Sequence, residues 1–308
     1  MSPRSNVRSL KHPRLRTWAR GARAAVALGI ARGLHRFPRA EPLFVRVGRG
    51  ARWWWVASLY WHSHEALAAL LRNTPQRFRP ISVEGLQLTL DITNYTASFR
   101  YFHGVPYEPG LTALVAALRP GDVFVDVGAN VGLFALIAAR RVFPGGRVIA
   151  FEPHPRARLE MLELLARNGV AGMVEVVEAA ASDVPQGSAR LFLTDDSVLS
   201  TLNPQESPLA ADFAFTDSID VELTTVDSWL QRRGVEAVSL RLVKIDVEGC
   251  EDAVVRGMAA TLRAAPRLVV ACETSPDSAA DRLLREAGFT RRPLDVRHGQ
   301  FGNYVYER

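Results

Sequence analysis

From residue 81 onward, apolar runs and amphipathic stretches alternate along the chain. ISVEGLQLTLDI (81–92) alternates apolar and polar positions with a period of two, the pattern of a short antiparallel pair. LTALVAALR has helical spacing and stops at Pro120-Gly121. VFVDVG (123–128) is a short continuous apolar run, as expected of a strand covered on both faces, and VGLFALIAARRV is a helix ended by Pro144-Gly145-Gly146. RVIAFEP is the next strand, and RARLEMLELLARNG is a helix with a glycine stop. VEVVEAA and ARLFLT read as strands. After a long polar stretch come VELTT, the short helix VDSWLQRRG and the strand LRLVKIDVEG. The helix CEDAVVRGMAATLRAA, the strand RLVVACE, the helix DSAADRLLREAG and a final pair ending in YVYE complete the series. Strands alternating with helices predict a mostly parallel, doubly wound α/β sheet. The last two strands, joined by a turn around His298-Gly299, are too close for a crossover helix and must pair antiparallel.

The first 80 residues follow a different pattern. ARWWWVASLYWHSHEALAALLR (51–72) reads as a helix with little polar face, and Trp53, Trp54, Trp55 and Trp61 fall within nine residues. Such a helix is ordinarily buried against another element; the alternative is an interfacial helix with its tryptophans at headgroup level and arginines toward anionic lipid. His62 and His64, two apart, do not share a helix face, and the H-E-x-x-H zinc pattern is not completed because position 68 is alanine.

Charge sharpens this division. Residues 1–80 hold Lys11 and 15 arginines against Glu41 and Glu65, a formal charge of +14; the whole chain carries +6, so the remainder is at −8. With only two lysines in the chain, coding bias accounts for arginine over lysine but not for the scarcity of acids. A basic segment of this kind meets an anionic surface, and a peripheral contact with anionic membrane is the reading taken over nucleic acid. The expected organisation is a basic, tryptophan-rich helical extension over 1–80 and a catalytic domain over 81–308. A length of 308 residues at 48% hydrophobic content suffices for a full core. Two cysteines, Cys250 and Cys272, make no disulfide framework. With no apolar run long enough to span a bilayer, the expected location is cytoplasmic.

The candidate chemistry begins at VFVDVGANVGLF (123–134). In an open α/β sheet the ligand lies beyond the carboxyl ends of the strands, at the first strand–helix turn. The spacing here is G-x-x-x-G rather than G-x-G-x-x-G, and Asp126 would repel a pyrophosphate seated on the helix amides. A ligand with an ammonium group would instead be attracted. S-adenosylmethionine has an amino-acid end, ribose and adenine, and no phosphate. Gly128 and Gly132 permit close backbone approach, Asp126 can balance the ammonium directly or through water, and Asn130 adds amide polarity. Glu152, 20 residues after Gly132, stands where an acid binds ribose hydroxyls. Asp183, in AASDVPQG, is either an acceptor for the adenine amino group or a turn residue.

YEPG (107–110), VDVGANVG (125–132), FEPHP (151–155) and KIDVEGCE (244–251) together resemble the FkbM family of S-adenosylmethionine-dependent methyltransferases, in order and spacing across about residues 95–275. The resemblance implies a class I methyltransferase (Rossmann-like) sheet of seven strands in the order 3-2-1-4-5-7-6, the seventh antiparallel. It also implies O-methylation of sugar or natural-product hydroxyls, with Asp126, Gly128, Asn130, Gly132 and Glu152 in cofactor roles and Tyr107 and Glu108 beside the cofactor pocket. His154, between two prolines, is expected beside the ribose site.

Methyl transfer to an alcohol needs in-line approach and removal of the hydroxyl proton. Asp246 ends the apolar strand LRLVKID and should face the crevice, with Glu248 two residues later and Glu273 at the end of the adjacent strand. These carboxylates could hold magnesium or act as base and anchor without metal. Lys244 shares the face of Asp246, where an ion pair with a strand-end acid is the plain reading. The polar segment 195–218 is long for a connection and is expected to form part of the acceptor pocket. The expected acceptor is a small molecule or glycan. A nicotinamide-dependent oxidoreductase, and a membrane- or nucleic-acid-binding protein with a degenerate cofactor site, are the alternatives.

Overall fold

The computed structural model describes residues 13–51, 53–83, 85–93, 95–104, 108–194, 200–207, 214–296 and 301–308. They fall into two compact units, residues 1–107 and 108–308. The boundary expected at residue 80 instead falls inside a strand. In the first unit, β1 (Phe78–Val83) pairs antiparallel with β2 (Leu86–Asp91), the hairpin read from the alternation. It stays with the preceding helices because Arg79 of β1 binds Glu41 bidentately, at 2.5 and 2.7 Å. The shift in composition marks where acidic residues begin, not where contacts thin.

Among the described residues the first unit has four α-helices, α1 (Pro13–Arg36), α2 (Glu41–Arg49), α3 (Trp54–Leu71) and α4 (Tyr95–His103). Its core joins Ala31 and Leu34 of α1, Val45 of α2, Tyr60, Leu67 and Leu71 of α3, and Phe102 of α4. Leu67 and Leu71, one turn apart, supply the stripe that α3 buries. Burial does not extend along the whole helix, because Trp53 and Trp55 at its start are exposed. His64 is buried, stacked on Phe102 with its Nε2 at 3.2 Å from that of His103. Among the described residues no helix is long and apolar enough to cross a membrane.

The second unit begins with α5 (Pro109–Ala116) and contains the strands β3 (Val123–Val127), β4 (Arg147–Phe151), β5 (Val174–Val177), β6 (Ala180–Ala181), β7 (Gly187–Thr194), β8 (Ser200–Thr201), β9 (Phe215–Thr224), β10 (Leu240–Ile245), β11 (Val269–Thr274), β12 (Thr290–Val296) and β13 (Gly302–Glu307). Seven of them form one sheet in the order β12-β13-β11-β10-β3-β4-β5. Counted along the chain this is 3-2-1-4-5-7-6, the expected order. The pairs β5·β4, β4·β3, β3·β10 and β10·β11 are parallel, whereas β13 runs antiparallel to both neighbours. Every residue of β3 is buried, which is why its sequence is apolar without alternation. The connecting helices are α6 (Leu133–Val142), α7 (Pro155–Arg167), α8 (Val226–Arg232), α9 (Glu251–Arg256), α10 (Ala259–Ala264) and α11 (Ala279–Glu286).

Two local expectations need correction. The helix read over 250–265 is two helices, because Gly257 packs its backbone against the Ser182 carbonyl, where a side chain would not fit. The stretch between β5 and α8 is more than strands and a polar loop. It carries a second, four-stranded sheet, β6-β9-β7-β8, with β7 and β9 antiparallel over most of their length. Residues 215–218, assigned to the polar loop, belong to β9. Residues 195–199 and 208–213 of that loop lie outside the described residues, as does the His298-Gly299 turn.

Candidate active site

A cleft opens beyond the carboxyl ends of β3, β4 and β10. Gly128 and Gly132, at φ +75° and +80°, make the turn after β3, and Asn130 between them is also left-handed at +52°. The close approach these glycines permit is to the protein itself. A side chain at Gly128 would run into the Asp246 carbonyl oxygen, and one at Gly132 into Met161 of α7. The turn is fixed to the next strand when the Gly128 and Ala129 amides both donate to the Phe151 carbonyl at 3.0 Å.

Glu152 completes that tie. Its Oε2 accepts from the Asn130 amide at 2.7 Å and its Oε1 from the His154 amide at 2.8 Å. Burial pushes its carboxyl from 4.5 up to about 7, with the two amides pulling it back. His154 holds its position by capping α7, where Nδ1 accepts from the Arg156 amide at 3.1 Å.

Asp126 is wholly buried. Strands β3 and β10 pair with Asp126 opposite Lys244, and the lysine Nζ lies 3.3 Å from Asp126 Oδ1 and 3.4 Å from Asp246 Oδ2 while donating to the Gly128 carbonyl at 2.8 Å. Burial alone would push the ammonium down; Asp126, Asp246 and then Glu108 outweigh it, and its pKa is raised. Burial pushes the Asp126 carboxyl up, with Lys244 opposing. The cation that Asp126 balances in this structure is therefore the protein's own Lys244, and the acid does not line the cleft.

Asp246 follows β10 directly and remains half-buried. Its amide donates to the Val127 carbonyl at 3.1 Å. The turn after it is held from two sides. Glu251 Oε1 accepts from the Val247 and Gly249 amides at 3.2 and 3.1 Å, and Thr201 of β8 donates to the Glu248 carbonyl at 2.7 Å. These ties hold Glu248 at φ +58°. Ligand oxygens of Asp246, Glu248 and Glu273 all lie within 4.8 Å of one another, so the three carboxylates expected at adjoining strand ends do converge. They are oxygen donors of the kind magnesium takes.

Of the residues expected at the cofactor, Gly128, Asn130 and Glu152 line the cleft, and Asp246 and Glu248 line it too. Gly132 supports the turn from behind. Glu108 is buried before α5 and acts on Lys244, not on the cleft wall; Tyr107 lies outside the described residues. Asp183 is exposed, is not among the residues lining the cleft, and is bound to Arg256 of α9 at 2.9 Å. Ser200, Thr201 and Leu202 of the 195–218 segment, expected at the acceptor pocket, line the cleft, whereas sequence reading missed the wall made by Ala180, Ala181 and Leu191. The last three residues belong to β6 and β7 of the second sheet; parts of its strands are legible locally, but not their pairing into a separate sheet. Among the described residues, the lining holds three carboxylates and no arginine, lysine or histidine.

The Methyltransferase FkbM domain family matches residues 126–291. The 31-O-demethyl-FK506 methyltransferase FkbM of Streptomyces tacrolimicus is 31% identical over 198 residues, covering 56% of this chain and 74% of that protein. Methyltransferase sdnD of Sordaria araneosa is 28% identical over 166 residues, 47% of this chain and 63% of that one. Among solved structures, the O-methyltransferase TomG of Streptomyces achromogenes gives a TM-score of 0.38 at 14% identity over 66% of this chain and 79% of that one, a likeness too distant to carry a conclusion. From the matched domain and the 31% relative, with a strand order that agrees, the chain belongs to the FkbM family of S-adenosylmethionine-dependent methyltransferases.

Proposed function

We propose that this chain methylates a hydroxyl oxygen of a small-molecule or glycosidic acceptor. The observation that carries this reading is the meeting of Asp246, Glu248 and Glu273 at the edge of a cleft with no cationic side chain in its described lining. A pyrophosphate cofactor would meet only like charge there, whereas a sulfonium cation meets favourable charge. The residues fit S-adenosylmethionine in other ways. Phe151, Ala180, Ala181 and Leu191 offer apolar walls to a purine, Glu152 offers carboxylate oxygens to ribose hydroxyls, and the buried Asn130 Oδ1 has no hydrogen-bond partner among the described residues.

When bound, S-adenosylmethionine supplies an electrophilic methyl group on a sulfonium. Asp246 would take the proton that the acceptor hydroxyl gives up as its oxygen is methylated. Glu248 and Glu273 position the hydroxyl, and Lys244 fixes the Asp246 carboxylate. The Streptomyces tacrolimicus relative carries an oxygen position in its name, which supports oxygen as the acceptor atom.

Calorimetry with S-adenosylmethionine and NAD, on wild type and Glu152→Ala, tests the cofactor. Binding of the first alone, weakened by the substitution, is the expected result; a preference for NAD would refute the assignment. Mass spectrometry of hydroxyl and amine acceptor panels, with and without magnesium, tests the chemistry. Asp246→Asn should abolish transfer and keep cofactor binding, and methylated amines without methylated alcohols would overturn the oxygen assignment.

A further inference from the structure

We infer that the first unit carries a docking face for an anionic lipid surface, built on α2 and the start of α3. Phe37 lies in the turn before α2, Leu43 and Val47 lie one turn apart on its exposed side, and Trp53 and Trp55 begin α3 across a short connection. Their exposures are 63, 65, 59, 70 and 52%. Connectivity keeps them together, because α2 is nine residues long, about 13 Å at 1.5 Å per residue. With up to about 250 Å² per large aromatic, the five side chains leave on the order of 500 Å² of apolar surface in water, near the upper end for a soluble monomer.

Charge selects the occupant. Arg32, Arg36, Arg39 and Arg46 are exposed along the same stretch, and among the described residues none is ion-paired with an acid. Both acids of residues 1–80 are already engaged. Glu41 is held by Arg79 and by the Tyr101 hydroxyl at 2.8 Å, and Glu65 accepts from the Trp61 indole at 2.6 Å. The +14 charge of this segment is therefore not neutralised within it. A second copy would bring the same charge to the contact and be repelled. A nucleic-acid backbone would satisfy the arginines but leave Leu43 and Val47 in water. An anionic bilayer satisfies both, with tryptophans at headgroup level, aliphatics below it and guanidinium groups on lipid phosphates. No helix needs to cross the membrane.

Flotation of the full chain with phosphatidylcholine vesicles, alone or containing phosphatidylglycerol, tests the inference. Binding should require phosphatidylglycerol, blue-shift tryptophan emission, and fall several-fold when salt is raised from about 50 to about 200 mM. Joint replacement Trp53→Ser and Trp55→Ser should lower partitioning at least tenfold, and Arg39→Glu with Arg46→Glu should remove the lipid selectivity. Both variants should melt like wild type and bind S-adenosylmethionine equally, so this outcome is separate from the methyltransferase assignment. Absence of vesicle binding, equal binding to neutral vesicles, or unchanged binding by the serine variant would overturn the inference. So would a dimer in solution that the serine variant dissociates, or displacement from vesicles by duplex RNA at matched charge.

Discussion

Replacing Lys244 with methionine keeps the length of the side chain and removes its charge, which leaves Asp126 buried on every side with no cation in contact. The carboxylate can escape only by taking up a proton. Each pH unit above the ordinary value of 3.8 makes that proton costlier to hold by about 1.4 kcal/mol, so at pH 7 the cost reaches about 4 kcal/mol. This agrees with the roughly 3–5 kcal/mol found when one partner of a buried pair is removed. The sign with pH follows from linkage. In the variant the folded-state pKa of Asp126 lies above its unfolded value, so stability is greatest at low pH and is lost as pH rises. Because burial already raises Asp126 in the wild type, the gap between wild type and Lys244→Met should shrink from at most about 4 kcal/mol at pH 7 to at most about 2 kcal/mol at pH 5. Urea unfolding at stepped pH measures it, with Asp126→Asn added to Lys244→Met as the control in which the slope disappears. A gap below about 1 kcal/mol at pH 7, or one of constant size, would show that Asp126 is not charged in the native protein.

Three further outcomes are expected. Gly128→Ala forces a side chain at φ +75° into the Asp246 carbonyl; it should cost about 2 kcal/mol or more and weaken S-adenosylmethionine binding, read by melting and calorimetry. On the proposed ribose contact, hydroxyls would donate to ionised Glu152, whose carboxyl sits at about 7, so cofactor affinity should rise up to about tenfold per unit as pH approaches 7 and level off above it. Stability of the free protein moves the other way, since a carboxyl raised from 4.5 to about 7 contributes fully below 4.5 and loses that contribution as pH rises through about 7; a flat affinity profile would remove Glu152 as the ribose ligand. Asp183→Ala breaks only the exposed pair with Arg256, so stability should change by less than about 1 kcal/mol and cofactor affinity should hold; a loss of affinity would return Asp183 to the cofactor site.

What could be read beforehand follows from how local each signal is. The strands β3, β4, β10 and β11 are buried on both faces and appear as continuous apolar runs, so the central sheet was visible in the pattern and its order followed from the family resemblance. The second sheet was not. The end of β9, VELTT, reads as a short strand, but TDSID before it, with two acids in five positions, reads as loop, because β9 is exposed along much of its length. Asp126 showed as an acid near the first turn, but its partner depends on β3 and β10 being neighbours, so the ion pair with Lys244 was legible as a possibility and its dominance was not. Asp183 kept two readings because turn chemistry and ligand chemistry draw on the same side chain. The convergence of Asp246, Glu248 and Glu273 was accessible, since strand ends in a parallel sheet fall on one edge.

The second sheet enters and leaves the domain at one place. Ala180 and Ala181 of β6 pair in parallel with Leu223 and Thr224 at the end of β9, so the chain departs and returns side by side. What lies beyond that gate can grow, shrink or be exchanged without shifting the spacing between β5 and β10, and Thr201 is a point at which the outer module touches the turn bearing Glu248. A domain wired this way can reshape one wall of its cleft by exchanging a single insertion, while the turns after β3, β4 and β10 keep their places.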